Sequence, residues 1–493
     1  EDRLQGWIGR TKLDGKGVRW TPVGFDEEAP TDVAVTDPGP RASRPPLFLS
    51  APAAGSLDHS FNRTGRLVVK TARYQPGGNP FETTRLEPPV TLSAPGPKGE
   101  LVVANRQSVL RYRADGLRQR HFGGDGRVAI PTPAGMSFQL AGVAADSRGR
   151  VVVAGTTRPV GATDGSRSAR VSVYRFKSDG KLDRSFGAGG VAGDALGPME
   201  ASGLAVDSRD RPVLTGLSAL TPSSCNTTPV YLNTTVVARL TSGGAPDPTF
   251  GAGGTYTDPL EDPHLPTLTT SGKVIYASAP ERRCAGFDGH ISASPAPVAS
   301  ILAPSGSLAL RVPARPGGPN LPWLAGLLEV TSLAVDRKNR IVMLETAYPP
   351  EGGDELLQVV RRFLPNGSPD PEFGGRYWEA GTEGAPNPPG GVFDAVATDA
   401  RNRIILGGSA MRREGSFVAR RFLAVRVNAA GQTQSGFGEG GVVTVRIGKK
   451  AEATATQVYL DSRGRIVLGG TLAAPWLSGR PGFALVRLLS GGR

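Results

Sequence analysis

The stretch Val143-Ala-Ala-Asp-Ser-Arg-Gly-Arg-Val-Val-Val-Ala-Gly155, followed by Gly180-Lys-Leu-Asp-Arg-Ser-Phe-Gly-Ala-Gly-Gly190, decides the fold of this chain. In the first phrase an apolar run ends at Asp146, which suits an Asx-turn, and Gly149 follows where the backbone needs positive φ. The β-branched run Val151–Val153 comes straight back, so the two halves read as a hairpin. A third strand alternates apolar and polar residues in Val171-Ser-Val-Tyr-Arg-Phe176. The second phrase then turns the chain into a fourth, edge strand.

Both phrases return. The hairpin phrase recurs around Asp207, Asp336, Asp399 and Asp461, with weaker relatives at Gly96–Ala104 and Ser271–Ala277. The second phrase is anchored by Phe61, Phe122, Phe186, Phe250, Phe373 and Phe437, at gaps of 61, 64, 64, 123 and 64 residues. The gap of 123 is two periods, so one unit has lost its Phe; Pro304–Leu308 marks its remains. Self-similarity at a fixed period signals a repeat architecture. Four antiparallel strands in about 60 residues describe a β-propeller blade, and seven units describe a ring.

The expected fold is therefore all-β: a seven-bladed β-propeller of four-stranded antiparallel blades, a single domain over residues 51–493. The last unit holds three strands before the chain ends. The first anchor phrase, Gly55–Phe61, is followed by Arg66-Leu-Val-Val-Lys70 and has no three strands of its own before it. This N-terminal strand is expected to complete the last blade and so remove two exposed sheet edges. Residues 1–50 stand outside the count as an N-terminal extension and linker. Trp7 to Trp20 suits a hairpin around Asp14-Gly15, and Pro40–Pro46 reads as the linker.

With its Leu-Asp-x-Ser-Phe-Gly-x-Gly-Gly and Asp-Ser-x-Gly-Arg-Ile-Val-x-Gly phrases, the chain resembles the delta-60 repeat family of bacterial proteins over roughly residues 51–493. The unit between Phe250 and Phe373 departs from the pattern, as do the anchors that read Asp-Pro-x-Phe. The resemblance implies a β-propeller of exported or surface proteins. It brings no reaction and no catalytic residue.

Composition narrows the function. The 67 Gly and 43 Pro, about twice the usual combined share, mark a turn-dense chain. No apolar run approaches the roughly 18 residues of a membrane span. The net charge is +13 and 47 of the 57 basic residues are Arg, yet no block of five or six basic residues occurs. Nucleic acid is therefore not the expected partner, and the Arg excess reads as a compositional habit. The chain opens at Glu1 without Met, which fits either a removed signal peptide or a trimmed chain; the expectation is the first, with a secreted or cell-surface location.

The chemistry-bearing residues are few. The Gly pairs lack the Lys-Ser/Thr of a phosphate loop and read as tight turns. The anchor Phe residues read as wedges between blades, and the hairpin Asp residues as turn formers. The four His have no metal-ligand spacing, and no G-x-S-x-G elbow is present. Cys225 and Cys284 fall after the second strands of consecutive units, so the alignment places them near each other on one face. A disulfide between them is the expectation, worth on the order of 4 kcal/mol in a chain-entropy model. Two unpaired thiols are the alternative.

One constellation could carry function. Seven residues before the hairpin Asp, at the start of the innermost strand, stand Glu200, Asp262 and Glu329 in three consecutive units. His264 and Asp394 lie two residues further in. Such acids at the channel mouth could hold a cation or bind sugar hydroxyls; otherwise they are solvated residues entering each strand. The sequence thus suggests an exported, non-enzymatic binding or structural scaffold, with no cofactor beyond that cation. Its partner would be a protein or glycan at the cell exterior, met by the long loops Thr157–Arg170, Ala219–Leu232 and Ala279–Pro297. The competing expectation is a propeller enzyme, a lyase or glycan-active protein, using those acids.

Overall fold

The computed structural model describes residues 6–11, 18–23, 53–70, 90–162, 168–218, 221–225, 228–232, 234–258, 263, 266–278, 298–313, 328–347, 356–373, 376–380, 391–414, 417–447, 452–473 and 482–491. Two compact units divide the chain, Glu1–Ala51 and Pro52–Arg493. In the first, strands Gly6–Thr11 and Val18–Val23 pair antiparallel, with Gly9 opposite Trp20.

The second unit is a seven-bladed β-propeller. Each blade is a four-stranded antiparallel sheet whose strands run in order from the innermost outward. Blade 1 comprises Thr91–Pro95, Leu101–Asn105, Ser108–Tyr112 and Arg127–Ala129. Blade 2 comprises Met136–Ala145, Val151–Pro159, Arg170–Phe176 and Val191–Ala192. Blade 3 follows with Met199–Val206, Pro212–Ser218, Thr235–Arg239 and Thr255–Asp258. In blade 4 the strands are Thr267–Leu268, Val274–Ser278, Val298–Leu302 and Leu308–Pro313. Blade 5 is Leu328–Val335, Ile341–Ala347, Leu356–Phe363 and Arg376–Ala380. Blade 6 is Gly391–Thr398, Ile404–Glu414, Phe417–Val427 and Val442–Val445. Blade 7 takes Glu452–Leu460, Ile466–Ala473 and Gly482–Leu488 from the end of the chain. Its outer strand is Arg66–Lys70, with Arg66 opposite Val486 and Lys70 opposite Gly482. The ring closes as the repeat count requires.

The core lies between blades rather than within them. Among the described residues seven apolar clusters lie one at each blade junction, each drawing on two neighbouring blades, and a small eighth of Ala347, Leu357 and Val359 lies within blade 5. At the closing junction Phe61, Val69 and Phe483 of blade 7 pack with Leu101, Val103 and Tyr112 of blade 1. Glycine is required where blades nearly touch: Gly180 has φ +87°, and a Cβ there would stand 2.6 Å from the Gly123 nitrogen of blade 1. One expected loop is different. Residues 219–232 contain a small hairpin, Thr221–Cys225 against Thr228–Leu232, favoured by the Thr, Val and Tyr in these strands.

A buried ionic clamp repeats at the end of the third strand. In blade 2 the Arg175 guanidinium lies 4.3 Å from the Phe186 ring centroid and donates to Asp183 at 2.9 Å. Its other arm reaches the Ser242 carbonyl of blade 3. Asp146 accepts the N–H groups of Arg148 and Arg150 on one oxygen and the Arg150 Nε, at 2.6 Å, on the other. The hairpin Asp is thus more than a turn former, because it positions an Arg that also faces Asp183 at 3.6 Å. Blades 3 and 7 repeat the arrangement, Arg239 and Arg487 donating to Asp247 and Asp58 and to the Pro304 and Ala114 carbonyls, whereas in blade 5 Arg362 donates to Asp370 and its Nη1 and Nη2 have no partner.

In blade 7 the N-terminal segment supplies the clamp as well as the strand. Asp58 receives Arg487 at 2.8 Å and Arg465 at 3.1 Å, and Phe61 stacks on Arg487. Asp58→Asn is expected to lower stability by about 3 kcal/mol, because Arg487 is fully buried and would keep only the more distant Asp461, at 4.0 Å, as countercharge. Urea unfolding checks this: the midpoint should fall with little change in slope, and an unchanged midpoint would refute the clamp's role in closure.

Candidate functional site

The channel has two mouths, and the topology assigns residues to each. Inner strands begin at one mouth and end at the hairpin turns of the other, so the residues before a strand and the turns after it lie some 20 Å apart.

At the strand-start mouth, Glu200 follows Met199 in blade 3 and pairs with Arg158 of blade 2 at 3.0 Å. Glu329 opens the inner strand of blade 5 opposite Thr346 and is half-buried. Blade 4 separates these two blades, and its Asp262 and His264 lie outside the described residues, as does Cys284. Asp394 sits further along blade 6, where the register shifts between Phe393 and Ala395. The same shift occurs in blades 2, 3, 5 and 7, leaving Ala141, Ser202, Thr331 and Thr456 at the equivalent position. Burial pushes the Asp394 carboxyl up to about 6 although the Arg420 charge opposes it, and its Oδ2 has no hydrogen-bond partner. Among the described residues no group of three or more His, Cys, Asp or Glu could hold a metal ion.

A second buried acid is Glu345, on the second strand of blade 5. The position is Gly155, Gly216, Gly408 and Gly470 in four other blades, where a Cβ would meet an inner-strand carbonyl at 2.1 Å or less. Glu345 is fully buried, receives Arg361 at 2.5 Å on Oε2, and leaves Oε1 unpartnered. Burial raises its carboxyl to about 7 against the pull of Arg361. Sequence reading passed over Glu345; its signal was an acid where the other copies carry Gly, Ser or Asn.

A concavity lies at the opposite, hairpin mouth. A cavity of about 410 Å³ is lined by Leu268, Val335, Leu460, Thr270, Arg337 and Ser462, together with the turn residues Asp336, Asp399 and Asp461. The three Asp side chains are engaged in their own turns by Arg340, Arg403 and Arg465. The walls thus present apolar side chains and hydroxyls, with exposed basic residues at the rim.

A family model described as "Domain of unknown function (DUF5122) beta-propeller" matches residues 149–186, which run from the hairpin turn of blade 2 to its anchor Phe. No curated protein matches the chain in sequence. Among solved structures, a gluconolactonase from Xanthomonas campestris is 14% identical with a TM-score of 0.31, covering 81% of this chain and 87% of that one. The NanB sialidase of Streptococcus pneumoniae is 8% identical with a TM-score of 0.38 over 81% and 68%. An aldose sugar dehydrogenase from Streptomyces coelicolor is 13% identical with a TM-score of 0.31 over 82% and 97%. Overlaps of this order assign this chain no reaction or ligand.

Glu345 yields a pH prediction. Its folded value of about 7 stands above the ordinary 4.5, so the folded chain holds this proton more tightly than the unfolded one. Its contribution is full below about pH 4.5 and declines until the pH passes about 7. Glu345→Gln should flatten the change in urea midpoint between pH 5 and 8. An identical slope in wild type and variant would show that Glu345 ionises normally.

Proposed function

We propose that this chain is an exported β-propeller of the delta-60 repeat kind that serves as a binding or structural scaffold. The observation that carries this reading is the commitment of its buried charges to architecture. Arg111, Arg175, Arg239, Arg362 and Arg487 each hold a carboxylate and stack on an anchor Phe. Such a ring is rigid by construction and suited to displaying loops. The recurrence of both phrases at a spacing of about 63 residues supports the repeat kind. Cys225 and Cys284, at matched places in consecutive units, support a disulfide and an oxidising location at the cell surface or beyond it.

A second reading, a lyase or glycan-active enzyme, draws on one observation: Asp394 is an acid of about 6 on the strand that lines the channel. The readings separate in one set of measurements. The mature protein should be recovered from the cell exterior, and alkylation before reduction should label neither cysteine. It should also show no turnover of acidic or neutral glycans that Asp394→Asn abolishes. Turnover lost in that variant would replace the scaffold with the enzyme; two alkylated thiols would remove the support for export.

A further inference from the structure

The hairpin phrase carries two basic positions, and the structure sends them opposite ways. Four residues after the Asp, Arg150 is 15% exposed and locked in the clamp, whereas two residues after it Arg148 is 75% exposed. The exposed position is basic in six of the seven blades: Lys98, Arg148, Arg209, Lys338, Arg401 and Arg463. Blade 4 has Ser271 there. These residues crown the turns around the axial cavity, one per blade.

Three features make this a binding surface. First, the cations are presented from fixed backbone: the hairpin Asp accepts the N–H of Arg148, Arg209, Lys338, Arg401 and Arg463 at 2.8–3.0 Å. The backbone that carries them has little ordering left to lose on binding. Second, the hairpin Asp charges are answered by the buried Arg four residues on, so the field above the turns is positive. Arg148 has a nearby acid, Asp210 at 3.8 Å, which already accepts from Ser147. Third, only short turns and the Phe phrases connect strands at this end. The connections from second to third strand, and from each blade to the next, leave from the other end, so among the described propeller residues no long loop rises from this face.

We infer that the ring of hairpin tips binds a linear anionic polysaccharide, its carboxylate or sulfate groups meeting the Arg and Lys side chains around the axial mouth. Exposed Ser147, Ser208, Thr270 and Ser462 stand beside these positions and match sugar hydroxyls. The tips carry no aromatic residue on which bases would stack and no large apolar residue that would enter a bilayer, which favours a polysaccharide over nucleic acid or membrane. Binding is a property of the face and depends neither on export nor on the disulfide.

The test is titration of the intact chain with polygalacturonate and with dextran sulfate, at low and at physiological salt, with neutral dextran as control. Wild type should bind at least one of the polyanions, more weakly as salt rises, and should not bind dextran. The triple variant Arg148→Ser, Arg209→Ser, Arg463→Ser should lose about tenfold in affinity, as expected for three exposed ion contacts. The variant Lys177→Ser, Lys181→Ser, Arg184→Ser removes the same charge from the anchor phrase of blade 2 and should stay within about twofold. Unchanged urea midpoints would show both variants folded. Absence of polyanion binding, or equal loss in the two variants, would overturn the inference. So would tighter binding to duplex DNA or to phosphatidylglycerol vesicles, which would assign the ring to that partner instead.

Discussion

A guanidinium stacked on a phenylalanine and tied to a buried aspartate is the interaction on which this ring depends. Taking an Arg out of water is costly unless its charge and its donors are met. In blades 2, 3 and 7 one arm meets Asp, another reaches a carbonyl of the next blade, and the flat face covers the anchor ring, where a cation is attracted to the π-system. The Asp feels the same balance. Burial alone would raise Asp247, but the hydrogen bonds from Thr249 and the Arg239 charge outweigh it and hold the carboxyl near 2. That share of stability is complete above about pH 4 and disappears as the pH falls towards 2.

Blades 1, 4 and 6 lack parts of the set; in blade 1 Gly96 and Gln119 stand where blade 2 has Asp146 and Asp183, and Arg111 pairs with Glu100 instead. Blade 6 keeps Arg426 over Phe437 but has Gln434 in place of the Asp; Arg426 Nε has no partner, and burial lowers the guanidinium to about 10. Blade 4 has lost every member together. Thr269, Lys273 and Ile301 stand where blades 2, 3, 5, 6 and 7 have Asp, Arg and Arg, and the chain runs from Gly306 straight into the outer strand without an anchor Phe. Ile301 and Val312 fill the space as part of an apolar cluster. Joint loss is the expected outcome, since removing one partner of a buried ion pair costs more than replacing the whole set by apolar packing.

The periodic part of this architecture was legible in sequence because a propeller blade repeats its turns. Counting anchor Phe residues supplied the blade number, and the unpaired Arg66–Lys70 run supplied the closure later seen against Gly482–Val486. The clamp was visible too, as an Arg one residue before the end of the third strand in Tyr-Arg-Phe176, Ala-Arg-Leu240 and Val-Arg-Leu488. A strand pattern read only as apolar and polar makes such an Arg a solvent-facing residue, and nothing local says that it is buried. Of the acids assigned to the strand starts, Glu200 and Glu329 stand second in their inner strands, and a described cavity lies at the opposite mouth. Alignment places residues around an axis; it does not show where along the channel a cavity opens.

The two basic positions of the hairpin phrase answer to different demands. Four residues after the Asp, the clamp requires Arg, because only a planar fork can serve two carboxylates at once. Two residues after the Asp, the turn requires nothing: blade 4 closes the same hairpin with Ser271 exposed at its tip. A compositional habit does not explain the rest. Basic residues make up about one in nine of the chain, yet they fill six of these seven tips. Two of the six are Lys in a chain with only ten Lys, so what the tips share is charge and not the side chain that the chain otherwise favours. A property that folding does not need, repeated around a ring and kept in the solvent, is better explained by what it meets there.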